Sequence, residues 1–69
     1  METEVLFNVE EADEGGYVAT AVRHGIVTEG DSIEELQVRV RDSVICHFDE
    51  AARPKLIRLH FVKDVVLAA

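Results

Sequence analysis

The sequence predicts a small α+β domain in the order β-β-β-α-β: a two-layer fold with an antiparallel sheet and one helix packed on one face. Three observations carry that expectation. Short alternating or β-branched segments fill the chain up to Thr28, a helical period runs from Ile33 to about Glu50, and alternation returns after Pro54. The stretch Thr28-Glu29-Gly30-Asp31-Ser32-Ile33-Glu34-Glu35-Leu36 is where one period gives way to the other, and the remaining segments must pack against the helix it opens.

Val5, Phe7 and Val9 alternate with Leu6, Asn8 and Glu10, which predicts a first strand with one more apolar face. An acidic turn from Glu11 to Gly16 follows, closed by two glycines. Tyr17 to Val22 are β-branched, aromatic or small, so this run pairs as a hairpin with the first strand. Its inward face stays open at this stage, because Tyr17, Ala19 and Ala21 compete with Val18, Thr20 and Val22. Arg23-His24-Gly25 breaks the pattern, and Ile26 to Glu29 is long enough for a third strand, completing a meander.

At the helix start, Asp31 and Ser32 can accept from free amides of the first turn, and either Asp31 with Glu34 or Ser32 with Glu35 can form a capping box. At 100° per residue Ile33, Leu36, Val40, Val44, His47, Phe48 and Ala51 share one face, with Gln37 beside them. Glu35 stands four residues before Arg39, the spacing of a surface ion pair. Val38, Ile45 and Cys46 fall off the stripe. Pro54 closes the helical region, since it cannot donate and disfavours helix in the residue before it. Leu56 to Val62 then alternates, with Ile57, Leu59 and Phe61 on one face and Arg58 and His60 on the other; Val65-Val66-Leu67 is a last apolar patch, either a continuation of that strand or an edge that pairs with another subunit.

A chain of 69 residues is a single domain over residues 1–69, and 48% hydrophobic residues is more than so small a core needs. A homo-oligomer is the expected outlet, with Val38, Ile45, Val65, Val66 and Leu67 as candidate contacts. One helix covers one side of a sheet, and Leu6, Leu56 and Val62 point to a second copy on the other. One cysteine allows no internal disulfide, and no leader-like or membrane-spanning segment is visible, so a soluble, cytoplasmic protein is expected. The net charge of -7 argues against nucleic-acid binding, which needs a basic surface to displace counterions. The acids concentrate early, in Glu2, Glu4, Glu10, Glu11, Asp13 and Glu14, and the turn residues Glu10, Glu11, Asp13 and Glu14 are the candidate surface for steering a basic partner.

No catalytic or metal-binding constellation is nominated, and no cofactor. The glycines lack the spacing of a phosphate loop. His24, His47 and His60 lack metal-ligand spacing, and adjacent Cys46 and His47 diverge by about 100° on a helix. Cys46 sits among acids that disfavour a thiolate, and Ser32 is consumed by capping.

Taken together, Gly15-Gly16-Tyr17-Val18-Ala19, the turn at Gly25, Val27-Thr28-Glu29-Gly30-Asp31-Ser32-Ile33-Glu34-Glu35-Leu36 and Arg41-Asp42-Ser43-Val44 resemble the HicB-type antitoxin domain over roughly residues 4–62. The family's GGY-type second strand is followed by a GC-V-T-x-G-D-T-x-E-E-A segment; here Ile26 stands where Cys is frequent, Ser32 for Thr and Leu36 for Ala. The resemblance implies a β-β-β-α-β domain likened to a truncated ribonuclease-H-type fold without catalytic acids. It also implies a non-enzymatic module, forming dimers or tetramers, that neutralises a small basic RNA-cleaving toxin of the HicA type by binding it. Many members add a DNA-binding segment after the last strand; this sequence stops at Ala69, so DNA binding is not expected. The competing expectations are a stand-alone structural or regulatory homo-oligomer without a toxin, and a vestigial metal-dependent nuclease.

Overall fold

Alternation and helical period both translate into the expected elements. In the computed structural model, which describes residues 3–63 and 65–69, β1 is Glu4–Glu11, β2 Tyr17–Ala21, β3 Ile26–Gly30, α1 Ile33–His47 and β4 Leu56–Val62. Short 3-10 turns, Val22–His24 and Glu50–Ala52, join β2 to β3 and α1 to β4. The four strands form one sheet in the order β3-β2-β1-β4, with α1 against one face.

The sheet is mixed, which corrects the expectation of an antiparallel one. β1, β2 and β3 form the antiparallel meander, but β4 runs parallel to β1 in the register Glu4↔Leu56 through Glu10↔Val62. The physical reason lies in the helix. β3 runs in the same direction as β1, α1 carries the chain back across the sheet, and the next strand must start from the end where β3 started. The α-helix also ends earlier than about Glu50: Phe48 leaves helical geometry (φ -106°, ψ 137°) while its N–H still donates to Val44 O at 3.0 Å. Phe48 thereby packs half-buried against the core, and Arg53 is extended as the residue before a proline must be.

The register settles the open question on β2. Tyr17, Ala19 and Ala21 lie on the helix side with Val5, Phe7 and Val9 of β1, Ile26 of β3 and Leu36, Val40 and Val44 of α1. The predicted helix stripe is buried at its middle; Ile33 is 38% exposed, and His47 and Ala51 are exposed too. Ala19 and Ala21 are fully buried beneath the helix, and Gly30 is closer still: a Cβ there would lie 2.6 Å from Leu36 N. Small side chains on β2 and β3 therefore seat α1 over that half of the sheet. β4, carrying Ile57, Leu59 and Phe61 on the same face, is left at the flank, and Phe61 is 48% exposed.

On the helix-free face Leu6, Leu56 and Val62 are exposed and Arg58 is paired to Glu4. The hydrogen bond to Glu4, and secondarily its charge, push the Arg58 guanidinium further above its ordinary range. Val65, Val66 and Leu67 are not a continuation of β4: they lie outside any strand, largely exposed.

Candidate functional site

The acidic hairpin turn is held in place by its backbone. Ala12 N–H donates to Gly16 O and Gly15 N–H to Ala12 O, both at 3.0 Å. Gly16 has φ +83°, and a Cβ on it would meet Gly30 O at 2.9 Å, so the turn is pressed against the end of β3 where the helix begins. That approach gathers acids from three places. Asp13 and Glu14 of the turn, Glu29 of β3, and Asp31 and Glu35 at the helix start line one cleft of about 590 Å³, with Tyr17 at its wall and Arg39 as its basic residue.

Helix capping orders the far wall. Ser32 is the N-cap, its Oγ accepting from Glu35 N–H at 3.1 Å, as one of the two capping-box alternatives predicts. The return bond is shifted by one residue, since Glu35 Oε2 accepts from Asp31 N–H at 3.3 Å rather than from the N-cap itself. Glu35 Oε1 accepts from Arg39 Nε at 3.0 Å, the predicted ion pair. Arg39 is thus engaged within the wall it belongs to.

Strand alternation divides the predicted quartet. Glu10 pairs with Val62 and Val18 on the helix-free face, whereas Glu11, the last residue of β1, turns to the other face opposite Tyr17. Glu10, Glu11 and Asp13 line a second cleft of about 320 Å³ with Val62 and Lys63. Asp13 borders both clefts. Among the described residues, Glu10, Glu11, Asp13 and Glu14 have no ion-pair partner. Glu29, Asp31 and Glu35 were not part of the predicted surface; the signal available was the glycine pair closing the turn together with Gly30, which marks two backbones in contact.

The second surface is apolar. Between α1 and β4 runs a groove of about 360 Å³ lined by Gln37, Val40, Arg41, Ile57, Leu59 and Phe61. The candidate contacts Val38 and Ile45 are 55% and 46% exposed on the helix, and Val65, Val66 and Leu67 are 72%, 92% and 83% exposed.

The histidines do not behave as three separate residues. His24, from the 3-10 turn after β2, stacks edge-on against His47 at 6.1 Å and Phe48 at 5.0 Å between ring centroids. Sequence separation hid this contact. Among the described residues no group of three or more His, Cys, Asp or Glu is arranged to hold a metal ion, and no helix is long and apolar enough to cross a membrane.

Comparison with known proteins places the chain in a family. A UPF0150 protein of Thermotoga maritima is 47% identical over 70 residues, spanning 99% of each chain. The chain belongs to the UPF0150 family. A second UPF0150 protein, from Archaeoglobus fulgidus, is 54% identical over 52 residues, covering 75% of this chain and 77% of that one. No family model matches the chain, and no solved structure matches it. Because the Thermotoga maritima match is end to end, the UPF0150 relationship takes in the hairpin turn, the helix start, β4 and the segment beyond it.

Proposed function

We infer that this UPF0150 chain is a non-enzymatic, HicB-like protein-binding module that captures a small basic RNA-cleaving protein of the HicA type and silences it by contact. The observation that supports this reading is the acid-lined cleft in which Asp13 and Glu14 stand beside Glu29, Asp31 and Glu35. Such a surface, on a chain of net charge -7, favours an Arg- and Lys-rich partner and raises its encounter rate. A basic ribonuclease needs that same positive surface for the phosphate backbone of RNA. Occupying it with carboxylates removes the substrate's foothold without any chemistry by the binder.

A gene neighbourhood without a small basic reading frame counts against the reading; where one is present, the test uses its purified product. Its cleavage of single-stranded RNA is measured with and without the acidic chain, and association rates are measured at low and high salt. Inhibition at one-to-one stoichiometry, with association slowing at least tenfold between about 0.05 and 0.3 M salt, is the expected result. An absent complex at every ionic strength, or inhibition indifferent to Asp13→Lys with Glu14→Lys, sinks the reading.

The exposed apolar groove and the segment 65–67 favour a second reading, a self-associating structural or regulatory protein. The two are separable, because self-association needs no basic partner.

A further inference from the structure

β4 is an edge strand, with β1 on one side and an open row of main-chain groups on the other. Its helix-side residues Ile57, Leu59 and Phe61 form the floor of the apolar groove that α1 leaves uncovered. The chain beyond it carries Val65, Val66 and Leu67, exposed by 72%, 92% and 83%. These residues do not fold back onto their own groove. The longest strand, β1 with eight residues, accounts for about 27 Å of sheet, whereas the molecule's long axis is 51 Å. The radius of gyration, 13.4 Å, likewise exceeds the roughly 11 Å expected for this length. Chain lies outside the two layers, and residues 65–69 belong to it.

We propose that the segment Val65–Leu67 of one copy pairs as an added strand along the free edge of β4 in a second copy, with Val65 and Leu67 entering the groove beside α1, and that the exchange is reciprocal about a two-fold axis at Val62. The pairing is antiparallel, because a two-fold axis perpendicular to the sheet reverses strand direction. The register follows from side-chain alternation. Residues opposed across an antiparallel pair point to the same face, so Val65 and Leu67 continue the odd-numbered face of Ile57, Leu59 and Phe61.

Four axes set Val65 or Leu67 opposite a residue of β4; the one at position 64 engages Leu67 alone, against Phe61, and opposes two carboxylates. An axis at Lys63 sets two ammonium groups directly opposite one another, which is destabilising. An axis at Phe61 places Leu67 opposite Lys55 and leaves half the arm outside the groove. With the axis at Val62, Val65 faces Leu59, Leu67 faces Ile57, and the axial pair is Val62 with Val62. Val66 falls on the other face, diagonal to Leu56, where the sheet is bare as well. Two arms and two grooves together bury on the order of 1,000 Å², the lower bound for a specific interface.

The experiment combines sizing with disulfide trapping on the full chain, carrying Cys46→Ser so that no other thiol competes. Light scattering of the parent chain across micromolar to millimolar concentration is expected to give twice the monomer mass. Val65→Asp with Leu67→Asp is expected to shift it to monomer with an unchanged circular dichroism spectrum, since both side chains are exposed. Among Phe61→Cys, Val62→Cys and Lys63→Cys, the Val62 variant is expected to give the covalent dimer in highest yield, its Cα atoms being about 5 Å apart across the axis. A monomer at all concentrations overturns the proposal. So does a dimer that survives both aspartates, or one that is trapped best at position 61 or 63. A monomer whose melting temperature falls with Leu67→Asp places the arm on its own chain and overturns the exchange equally. None of these outcomes depends on whether a basic protein is bound.

Discussion

Single residues decide how closely the layers approach. Gly30 sits where β3 passes under the first turn of α1, and any Cβ there would lie within 2.8 Å of two Leu36 backbone atoms. Gly30→Ala therefore forces backbone apart rather than displacing a flexible side chain, and we expect it to cost about 2–3 kcal/mol in urea unfolding. Ser32→Ala removes the acceptor for Glu35 N–H and should cost about 1 kcal/mol, a fall of roughly 4–8 °C in the thermal midpoint of so short a chain. Gly15→Ala and Gly16→Ala both place a side chain at positive φ, but only at Gly16 does the added Cβ also meet Gly30 O at 2.9 Å, so Gly16→Ala should destabilise more. At this scale the sequence was highly legible. Glu35 and Arg39 are four residues apart, so their pairing follows from helix pitch alone, and Ser32 with Glu35 was one of the two capping alternatives the sequence offered. The contact of His24 with His47 was not legible, because a 3-10 turn and a helix end are brought together only by the completed sheet.

Between elements, stability rests on the one face of α1 that meets the sheet. The helix buries Leu36, Val40 and Val44 completely or nearly so, and truncating Leu36 to Ala should cost about 2–5 kcal/mol, enough to leave a domain this small largely unfolded at physiological temperature. Val38→Ala on the exposed flank should change stability by less than about 0.5 kcal/mol, and the pair of melting curves distinguishes a one-sided helix from one packed on both flanks. For β1 and the middle of α1 the core-facing residues were readable from periods of two and 3.6, including Val5, Phe7 and Val9; for β2 the pattern left both faces open. Where the helix sits laterally was not. That depends on Ala19 and Ala21 of β2 and Gly30 of β3 being small together, and single-strand patterns do not report which strands are neighbours. The direction of β4 was implicit in the length of α1, since a helix spanning the sheet returns the chain to its starting side, but alternation within β4 is blind to direction.

For the whole molecule, charge and shape set the behaviour. The carboxylates of the hairpin turn, β3 and the helix start converge at one end, while the apolar groove and the exposed arm follow β4 along the flank. The two surfaces predict different responses to solution conditions. Salt should weaken what the acidic end holds and leave the apolar flank's associations intact. The thermal midpoint of the chain by itself should rise with protein concentration, because assembly draws on the folded form alone; a midpoint constant over a hundredfold dilution contradicts self-association. The acidic turn was visible in the sequence as a run of carboxylates, but its enlargement by Glu29, Asp31 and Glu35 needed the contact between Gly16 and Gly30.

The parallel pairing of β1 with β4 also governs how the molecule comes into being on the ribosome. The central strand emerges among the first residues, yet one of its two neighbours is synthesised some fifty positions later. Until then the nascent chain offers a naked hydrogen-bonding rim beside Val5, Phe7 and Val9, so closure of the sheet is a late event that waits for nearly the entire polypeptide.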